Sequence, residues 1–467
     1  MSPGLSLTEQ YINEIRSRGL TASDLLPPDR LPAIVESFYG QRALARPVFF
    51  AEAEHARLVR DLSTMHAALT SLPDLLFGGD LGAFATAVGL TERQVGFVVR
   101  TQSGAPVTRF ARADMYADAT GFKLLEYNVG STIGMIEAGL LNDALLAHPV
   151  LAGFAAEHRL GSVDMVAECL ASMRQECGLA PDSQPVIAMC DWPDQFPVNE
   201  APLRLCTDMH RDSYGLTSIP THLGRLEYRD GGVWDEGHRI DVVYRMFMLQ
   251  QATGPEANEL IDPLLAAAER GEVEIFTPLG CQVFGSKAAL AMLSDEAHRH
   301  RFDAETLAAL DRILPWTRVC RPGTVTLESG ERVELLDHAL AQRAELILKP
   351  ALLHSGSGVL PGWEADPADW AQRVEAAMDG GWILQRRVRP VPQLVPAPDG
   401  ELTDYTINLG VFSMPSGPDG YGGMALRVAP VTANITVLSI NADKSVLLGC
   451  AMHQLPDTPV IPTASLG

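Results

Sequence analysis

The chain has 467 residues, enough for about three domains of ordinary size, and 46% of them are hydrophobic and 20% charged, as in soluble globular proteins. Its 36 Lys and Arg residues against 58 Asp and Glu residues leave a formal charge of −22. This charge argues against a protein that coats nucleic acid or anionic membranes, since both need a basic face. It remains compatible with one small polyanion bound in a locally basic cleft.

Three further sequence features concern location. No run of about 18 apolar residues predicts a membrane-spanning helix, and the N-terminal residues lack the basic start and apolar core of a secretory signal. The seven cysteines form no CxxC or CxxH pair, which favours reduced thiols over disulfides or a structural zinc site. We therefore expect a cytoplasmic protein with no membrane or nucleic-acid partner.

The first hundred residues are predicted to form helices. Ser6 and Glu9 have the spacing of a capping box, in which a hydroxyl and a carboxylate satisfy unpaired N–H groups at a helix start. Apolar residues then recur at helical spacing, most clearly over residues 53–72. Residues 1–104 are therefore predicted to be a helical N-terminal region.

A β-hairpin is predicted next, with strands over residues 107–116 and 122–128. Glu126 and Asn128 are two residues apart and so project from one face of their strand, and Asp114 can lie beside them across the hairpin. Two carboxylates and an amide oxygen on one face suit Mg²⁺ that is held jointly with substrate phosphates. An ordinary exposed hairpin face would show the same pattern.

The rest of the chain shows alternating predicted helices and strands, as in α/β proteins. Residues 164–177 and 262–271 read as helices, and residues 185–191 and 240–245 read as strands, the first of them apolar enough for a buried parallel strand. A second α/β segment follows from about residue 285 and ends in a strand-rich tail.

A small loop, Ser355-Gly356-Ser357-Gly358, follows a strand that ends in Lys349. Glycines let the backbone approach a phosphate closely, and successive N–H groups can cradle an anion. The loop is neither a Walker A motif nor a GxGxxG fingerprint, and a plain flexible turn would look the same.

The order and spacing of several motifs resemble the circularly permuted ATP-grasp ligases, in particular the synthetase domain of glutathionylspermidine synthase. The resemblance covers roughly residues 105 to 440. It rests on an Arg-x-Asp strand, a Glu-Tyr-Asn strand, a Lys at a helix start, a Lys-Pro strand end before a glycine loop, a strand Gln and a late Gly-x-x-x-Arg strand. Here these are Arg112 and Asp114, Glu126 to Asn128, Ser286 to Ala288, Lys349 and Pro350, Gln385, and Gly423 with Arg427.

The resemblance implies an α/β fold with α+β lobes, ATP-grasp-like and circularly permuted, behind the helical N-terminal region. Together with the changes in predicted secondary structure along the chain, the resemblance divides the chain into four parts. These are the helical region 1–104, the Mg²⁺-binding hairpin and following helix 105–150, a pre-ATP-grasp-like α/β domain 151–280 and nucleotide-binding lobes 281–467.

The resemblance also implies roles for individual residues, with ATP and Mg²⁺ as cofactors. The metal would be held by Asp114, Glu126 and Asn128. Arg112 would contact the transferring phosphoryl group, and Arg427 would stabilise phosphate charge from the opposite strand. The nucleotide would be held by Lys287, Lys349, the loop residues Ser355, Gly356, Ser357 and Gly358, and Gln385 on the adenine side.

The activity implied by the resemblance is an ATP-dependent carboxylate–amine ligase that forms an amide through an acyl phosphate, with a small-molecule or peptide carboxylate and an amine as substrates. The Ser131 and Thr132 hydroxyls could meet the carboxylate, or one of them could cap a helix instead. A kinase on the same scaffold and a degenerate nucleotide-binding scaffold protein stay open as alternatives. A Rossmann-type oxidoreductase is disfavoured because no glycine fingerprint follows the 185–191 strand.

Overall fold

The computed structural model describes residues 5–102, 106–353, 356–396 and 401–456. Within them the chain is a mixed α/β protein with several sheets. The α-helices of this part are α1 Leu7–Ser17, α2 Ala22–Leu25, α3 Ala33–Tyr39, α4 Glu52–Thr70, α5 Leu72–Phe77, α6 Leu81–Ala87, α7 Glu92–Gln102, α8 Leu140–Leu146, α9 Pro149–Glu157, α10 Met165–Glu176, α11 Phe196–Tyr214, α12 Glu256–Glu269, α13 Lys287–Ser294, α14 Glu296–Arg299, α15 Ala304–Ile313, α16 Leu335–Ala341 and α17 Pro367–Ala377.

The strands follow the same chain order. They are β1 Val48–Phe50, β2 Ala111–Asp118, β3 Gly121–Val129, β4 Leu160–Gly161, β5 Ile187–Asp191, β6 Ser218–His222, β7 Glu227–Arg229, β8 Gly232–Asp235, β9 His238–Ile240, β10 Val242–Arg245, β11 Glu274–Phe276, β12 Thr317–Val319, β13 Thr324–Thr326, β14 Arg332–Glu334, β15 Leu346–Pro350, β16 Leu360–Pro361, β17 Trp382–Arg386, β18 Gln393–Pro396, β19 Leu402–Ser413, β20 Tyr421–Pro430 and β21 Leu447–Gln454.

Helices predominate among the described residues before β2. α1 begins at the predicted capping box, where the Ser6 hydroxyl accepts from the Glu9 N–H at 3.2 Å and the Glu9 carboxylate accepts from the Ser6 N–H at 2.7 Å. The region also contains β1, which pairs in parallel with β21. Sequence reasoning missed this strand because three consecutive apolar residues are too short a run to show strand alternation.

The largest sheet joins the two ends of the chain. Its strand order is β1-β21-β20-β19-β2-β3, with β18 paired to β19 and β4 paired to β21. The predicted hairpin, β2 and β3, therefore lies next to β19, whose residues come almost three hundred positions later. One sheet face built in this way can carry side chains from segments far apart in sequence.

A second sheet contains the predicted buried strand. β5 is fully buried and pairs in parallel with both β6 and β10, and β11 completes the order β11-β10-β5-β6. The apolar run over residues 185–191 thus reads correctly as a parallel strand, because burial on both faces removes the polar half of the alternation.

A third sheet, β12-β17-β15-β16, has two different faces. Leu346 and Leu348 of β15 are fully buried against Trp370 in a small core. Ile347 and Lys349 alternate with them and project from the opposite face. Ile347 and Lys349 on that opposite face line a cavity.

Two short apolar helices, α8 and α9, follow the hairpin, with buried residues that include Leu141, Leu145, Leu151 and Phe154. Among the described residues no single helix has the length and apolar composition needed to cross a membrane. The segments Ile136–Leu146 and Pro149–Glu157 reach that length and composition only together, and they are bent by 99° at their junction.

Truncation of a side chain on one face of β15 should cost more free energy of unfolding than truncation on the other face. We expect Leu348→Ala to lower the free energy of unfolding by about 2–5 kcal/mol, because it leaves a void in the core beneath the third sheet. Ile347→Ala on the cavity face should cost clearly less, since its side chain is only partly buried. Urea unfolding of both variants tests this, and equal losses would contradict the assignment of the two faces.

Candidate active site

A cavity of about 350 Å³ lies between the largest sheet and the third sheet. We call it the first cavity. Residues predicted from distant parts of the sequence meet in its lining: Asp114, Glu126, Lys287, Lys349, Gly356, Gln385 and Arg427. The arrangement therefore brings seven of the fourteen predicted site residues together, and the role of each residue stays a prediction.

The two carboxylates face each other across the hairpin. Asp114 of β2 is the register partner of Glu126 of β3, and Arg112 is the partner of Asn128, so all four side chains share one sheet face. The pairing shifts by one residue between Asp114 and Met115. The cross-strand placement expected from residue spacing is confirmed.

Asp114 holds two arginines. Its Oδ1 accepts from Nε of Arg112 at 2.8 Å, and its Oδ2 accepts from Nη2 of Arg112 at 3.1 Å and pairs with Nη2 of Arg427 at 2.8 Å. Nδ2 of Asn128 is 3.5 Å from the same Oδ2. Charge-assisted hydrogen bonds of this kind are strong and directional, so a nearly buried Asp114 fixes both guanidinium groups beside the first cavity.

Lys287 stands at the first position of α13, directly after the N-cap Ser286, whose hydroxyl accepts from the Ala288 N–H. Its Nζ is 3.1 Å from Oε2 of Glu126 and donates to the Leu353 carbonyl at 2.7 Å. Burial alone would raise the pKa of Glu126, but attraction to Lys287 and to other nearby cations outweighs it and holds that pKa well below its ordinary value. Glu126 is therefore ionised at neutral pH.

Lys349 comes from the third sheet and reaches across to the hairpin. Its Nζ donates to Oε1 of Gln385 at 2.6 Å and to the Leu125 carbonyl at 3.1 Å. Leu125 is the extra residue at the register shift in β3, so the bulge provides this acceptor. Burial and the neighbouring charge of Lys287 lower the pKa of Lys349 to about 7, against the opposing attraction of Glu126 and Asp114.

The charges around the first cavity do not cancel. Four cations, Arg112, Lys287, Lys349 and Arg427, surround the two carboxylates. Nε of Arg427 and Oδ1 of the buried Asn408 have no hydrogen-bond partner among the described residues. A buried site with surplus positive charge, an unused donor and an unused acceptor suits a polyanionic ligand that also carries hydrogen-bond donors or a metal ion.

The first cavity also has apolar walls. They include Ile347 of β15, Trp363, Val388 in the connection after β17, and residues 435–438. The guanidinium of Arg387 lies 4.1 Å from the centre of the Trp363 ring. The lining thus combines a charged set from the largest sheet and α13 with a surface suited to a flat, weakly polar ring.

The glycine loop is only partly in the lining. Gly356 lines the first cavity at a φ of 75°, and a Cβ added there would lie 2.4 Å from Cγ1 of Val437. Glycine is therefore required for the loop to approach the segment around Val437. Ser357 and Gly358 are exposed, and Ser355 lies outside the described residues.

Besides Ser357 and Gly358, four predicted residues lie outside the lining of the first cavity: Arg112, Asn128, Ser131 and Thr132. Asn128 is one of them and contacts Asp114 as described. Ser131 is buried and donates to the Arg245 carbonyl at 2.6 Å, and Thr132 accepts from the Gln282 amide at 3.2 Å. The helix-cap alternative for these hydroxyls is wrong, because the following short 3-10 helix begins only at Ile136 with Met135 at its N-cap position.

Sequence reasoning missed several residues around the first cavity. Asn408 and Gly410 of β19 lie on the same sheet face as Asp114, which is the register partner of Gly410. A Cβ on Gly410 would lie 3.1 Å from Cδ of Arg112 and 2.9 Å from the Ala425 carbonyl oxygen, so the absent side chain leaves room for Arg112. The basic run Arg386, Arg387 and Arg389 also lines the first cavity. That run was visible in the sequence after Gln385.

Comparison of the sequence with protein-family models and with curated proteins gives no match. Among solved structures, the chain is similar to a glutathione synthetase-like effector (GSS30) from Globodera pallida in its apo form, with a TM-score of 0.47 and 14% identity over 89% of this chain and 90% of that chain. It is also similar to a putative gamma-glutamylcysteine synthetase from Methylobacillus flagellatus KT, with a TM-score of 0.39 and 10% identity over 75% and 82% of the two chains. For D-alanyl-alanine synthetase A from Vibrio cholerae the TM-score is 0.28, with 12% identity over 60% and 77%. These TM-scores are too low to establish the fold or the activity of this chain.

The space that Gly410 leaves for Arg112 is testable. We expect Gly410→Val to displace Arg112 and to lower the free energy of unfolding by about 1–3 kcal/mol, because the added atoms meet the backbone of β20. Gly153→Ala in α9 is a matched control with open space around its Cβ, and it should be neutral or stabilising by up to about 1 kcal/mol. Urea unfolding measures both, and an unchanged Gly410→Val variant would contradict the close approach.

Proposed function

We propose that the protein is an ATP-dependent carboxylate–amine ligase that forms an amide bond and releases ADP and phosphate. The observation that carries the proposal is the meeting of Lys287, Lys349 and Arg427 with two carboxylates at one cavity, with Arg112 held beside it by Asp114, so that five separate chain segments contribute. Phosphoryl transfer needs little covalent chemistry from a protein and depends on positioning and charge neutralisation, which is what this set of residues supplies.

The lining of the first cavity supports the proposal that a nucleotide binds there. The triphosphate would lie near Lys287, Lys349 and Arg427, which account for most of the surplus positive charge. The adenine ring would occupy the apolar walls near Ile347 and Val388, next to the strand that carries Gln385. The loop at Gly356 and the segment around Val437 meet over the cavity and would exclude water from the reacting groups.

The residues present fit a magnesium ion. Among the described residues there is no group of three or more His, Cys, Asp or Glu side chains that could hold a metal by themselves. Mg²⁺ on a nucleotide needs only one or two carboxylates because the phosphates supply other ligands. Glu126 and Asp114, with Asn128 beside them, would hold it, and the unpaired Oδ1 of Asn408 offers a further oxygen. When bound, the ion neutralises phosphate charge during transfer.

The proposed reaction has two steps. An oxygen of the substrate carboxylate attacks the γ-phosphorus of ATP, and the bond to ADP breaks to leave an acyl phosphate. An amine nitrogen then attacks the acyl carbon, phosphate leaves, and the nitrogen loses a proton. Arg112 and Arg427, held by Asp114, would stabilise the charge that develops on the transferring phosphoryl group.

The lining of the first cavity supports this class of reaction over covalent catalysis by the protein. The described lining of the first cavity contains no His and no Cys, so it lacks the usual partners of an activated nucleophile.

The order of elements supports a permuted ATP-grasp arrangement, because β2 and β3 precede β15 and β17 in the chain yet share a sheet with β19 and β20.

The direct test is incubation of the full chain with ATP, MgCl₂ and a matrix of carboxylates and amines, with ADP measured by a coupled assay and products by mass spectrometry. We expect ADP and an amide to form with at least one pair. If ADP forms with a phosphorylated product and no amide, the protein is a kinase. If ATP binds but ADP never forms, the enzymatic proposal fails.

Two substitutions assign the residues in that assay. We expect Glu126→Gln to reduce ADP formation at least about tenfold at low Mg²⁺, and Lys287→Met to weaken ATP binding about 10–100-fold, since a charge-assisted contact is worth roughly 1.5–3 kcal/mol. Lys444→Met at an exposed position is the matched control and should change neither quantity. Unchanged kinetics in both site variants would remove the phosphate and metal assignments.

The lowered pKa of Lys349 predicts a pH dependence of nucleotide binding. A pKa of about 7 in the free protein means that phosphate must bind with proton uptake above that pH, because the charged amine is the form that phosphate favours. ADP affinity should therefore be full below pH about 7 and fall by up to about tenfold per pH unit above it, where the phosphates are already ionised. Calorimetry from pH 6 to 9 measures this trend.

The control for the pH dependence is Lys349→Arg, which stays charged throughout this range. We expect that variant to lose the fall in affinity between pH 7 and 9. If the parent protein binds ADP with equal affinity at pH 6.5 and 8.5, the assignment of Lys349 to the phosphates is wrong.

A further inference from the structure

A second cavity of about 260 Å³ lies beside the first, between the loop that follows the hairpin, helices α3, α10 and α11, and strands β5 and β10. We call it the second cavity. It is lined by Tyr39, Gly134, Glu137 and Asp191 among others. None of these residues has a role in the nucleotide chemistry proposed above.

Arg112 connects the two cavities. One end of its guanidinium binds Asp114, which lines the first cavity, and its Nη1 donates to the Gly134 carbonyl at 2.9 Å, which lines the second. The next residue, Met135, has a φ of 80°, a conformation that a residue other than glycine rarely adopts. The loop is thus held in an unfavourable backbone geometry at the boundary between the two cavities.

Acidic side chains outnumber basic ones in the described lining of the second cavity. Its described lining contains the carboxylates Glu137 and Asp191 and no Lys or Arg. His210 also lines it, but burial lowers the pKa of His210 to about 4, so this imidazole is neutral at physiological pH. A carboxylate or phosphate entering the second cavity would meet repulsion, whereas an ammonium group would be attracted.

Of the two acids, Glu137 is the better placed to receive a ligand. Asp191 is buried, and its oxygens already accept from the Trp192 N–H at 2.7 Å and the Asn199 amide at 2.8 Å. Glu137 is partly exposed, and its Oε1 accepts from the Tyr39 hydroxyl. Burial raises the pKa of Glu137 despite that hydrogen bond and the nearby charge of Arg112, as expected for a carboxylate that lacks a direct cationic partner.

The remaining walls are apolar and adaptable. Four methionines line the second cavity, together with Phe38, Ile133 and Leu203, and the methionines are Met135, Met189, Met209 and Met246. Methionine side chains are flexible and polarisable and fit varied apolar groups. The wall therefore suits an aliphatic or aryl group better than a strongly polar one.

We propose that the second cavity binds the amine co-substrate, a cationic amine with an apolar body, whose ammonium group pairs with Glu137 next to Arg112. The identification of this amine as a co-substrate rests on the proposed ligase function. Binding of the amine itself is measured without nucleotide. The proposal names the class of amine, which the first cavity does not specify. It also places the carboxylate co-substrate on the side of Arg112 that faces the first cavity, where the other cations lie.

The test uses three probes of one shape and different charge: 2-phenylethylamine, 2-phenylethanol and 3-phenylpropanoate. Binding of each to the full chain is measured by calorimetry and by ligand-observed NMR. We expect the amine to bind at least about tenfold more tightly than the alcohol, and the carboxylate to bind most weakly. Equal affinities for the amine and the alcohol, preference for the carboxylate, or binding of none of the three would overturn the proposal.

Variants locate the binding. Glu137→Gln keeps the shape of the side chain and should weaken amine binding at least about tenfold, whereas Glu157→Gln at an exposed position of α9 should change nothing. Leu203→Trp, which fills the second cavity from α11, should block the amine and the alcohol alike, and circular dichroism verifies the folding of each variant. Undiminished amine binding in Glu137→Gln would also overturn the proposal.

ATP binding, measured in parallel, separates this inference from the proposed function. We expect Glu137→Gln to keep the ATP affinity of the parent protein, because Glu137 lines only the second cavity. If ADP and amide form but no amine competes at the second cavity, this inference fails alone. If amines bind through Glu137 while ATP does not bind at all, the second cavity stands as an amine site and the ligase proposal fails.

Discussion

The pairing of one buried carboxylate with two guanidinium groups organises the candidate site. Asp114 lies on β2, an inner strand of the largest sheet, and binds Arg112 on its own strand and Arg427 two strands away. Burying these charges has a desolvation cost that only good geometry offsets, and removing Asp114 would take the carboxylate partner from both guanidinium groups. Because Arg112 also reaches the Gly134 carbonyl, the position of Asp114 bears on both cavities.

The local charge of the site opposes the charge of the whole protein. The formal charge is −22, yet six basic side chains line the first cavity against two carboxylates, and Arg112 lies beside it on Asp114. Neutralisation of a buried ligand depends on contacts within a few ångströms, where screening by water is weakest. The acidic remainder of the surface therefore does not prevent a polyanion from binding here, and the second cavity, which lacks Lys and Arg among its described residues, can favour the opposite charge.

Much of the fold could be read from the sequence because its signals are local. A capping box marked the start of α1, an apolar run marked the parallel strand β5, and a spacing of two residues placed Glu126 and Asn128 on one face. Other features carried no local signal. The strand β1 is only three residues long, and its partner β21 is about four hundred positions away. The hydroxyl of Ser131 caps no helix and donates to the backbone of β10, a contact that no spacing could have revealed.

The sequence by itself determined which side chains are chemically able to hold phosphates and a metal, since residue type and spacing set charge, ligand class and strand face. Only the tertiary structure decided that they meet. β19 brings Asn408 and Gly410 beside Asp114, and Gly410 makes room for Arg112 by having no side chain. The third sheet brings Lys349 to the bulge carbonyl of Leu125. The second cavity, which Glu137 lines, likewise exists only because a loop after the hairpin packs against α3, α10 and α11. Such contacts join residues far apart in the chain. They form because of the free energy of long-range packing, and a local sequence pattern does not encode that free energy.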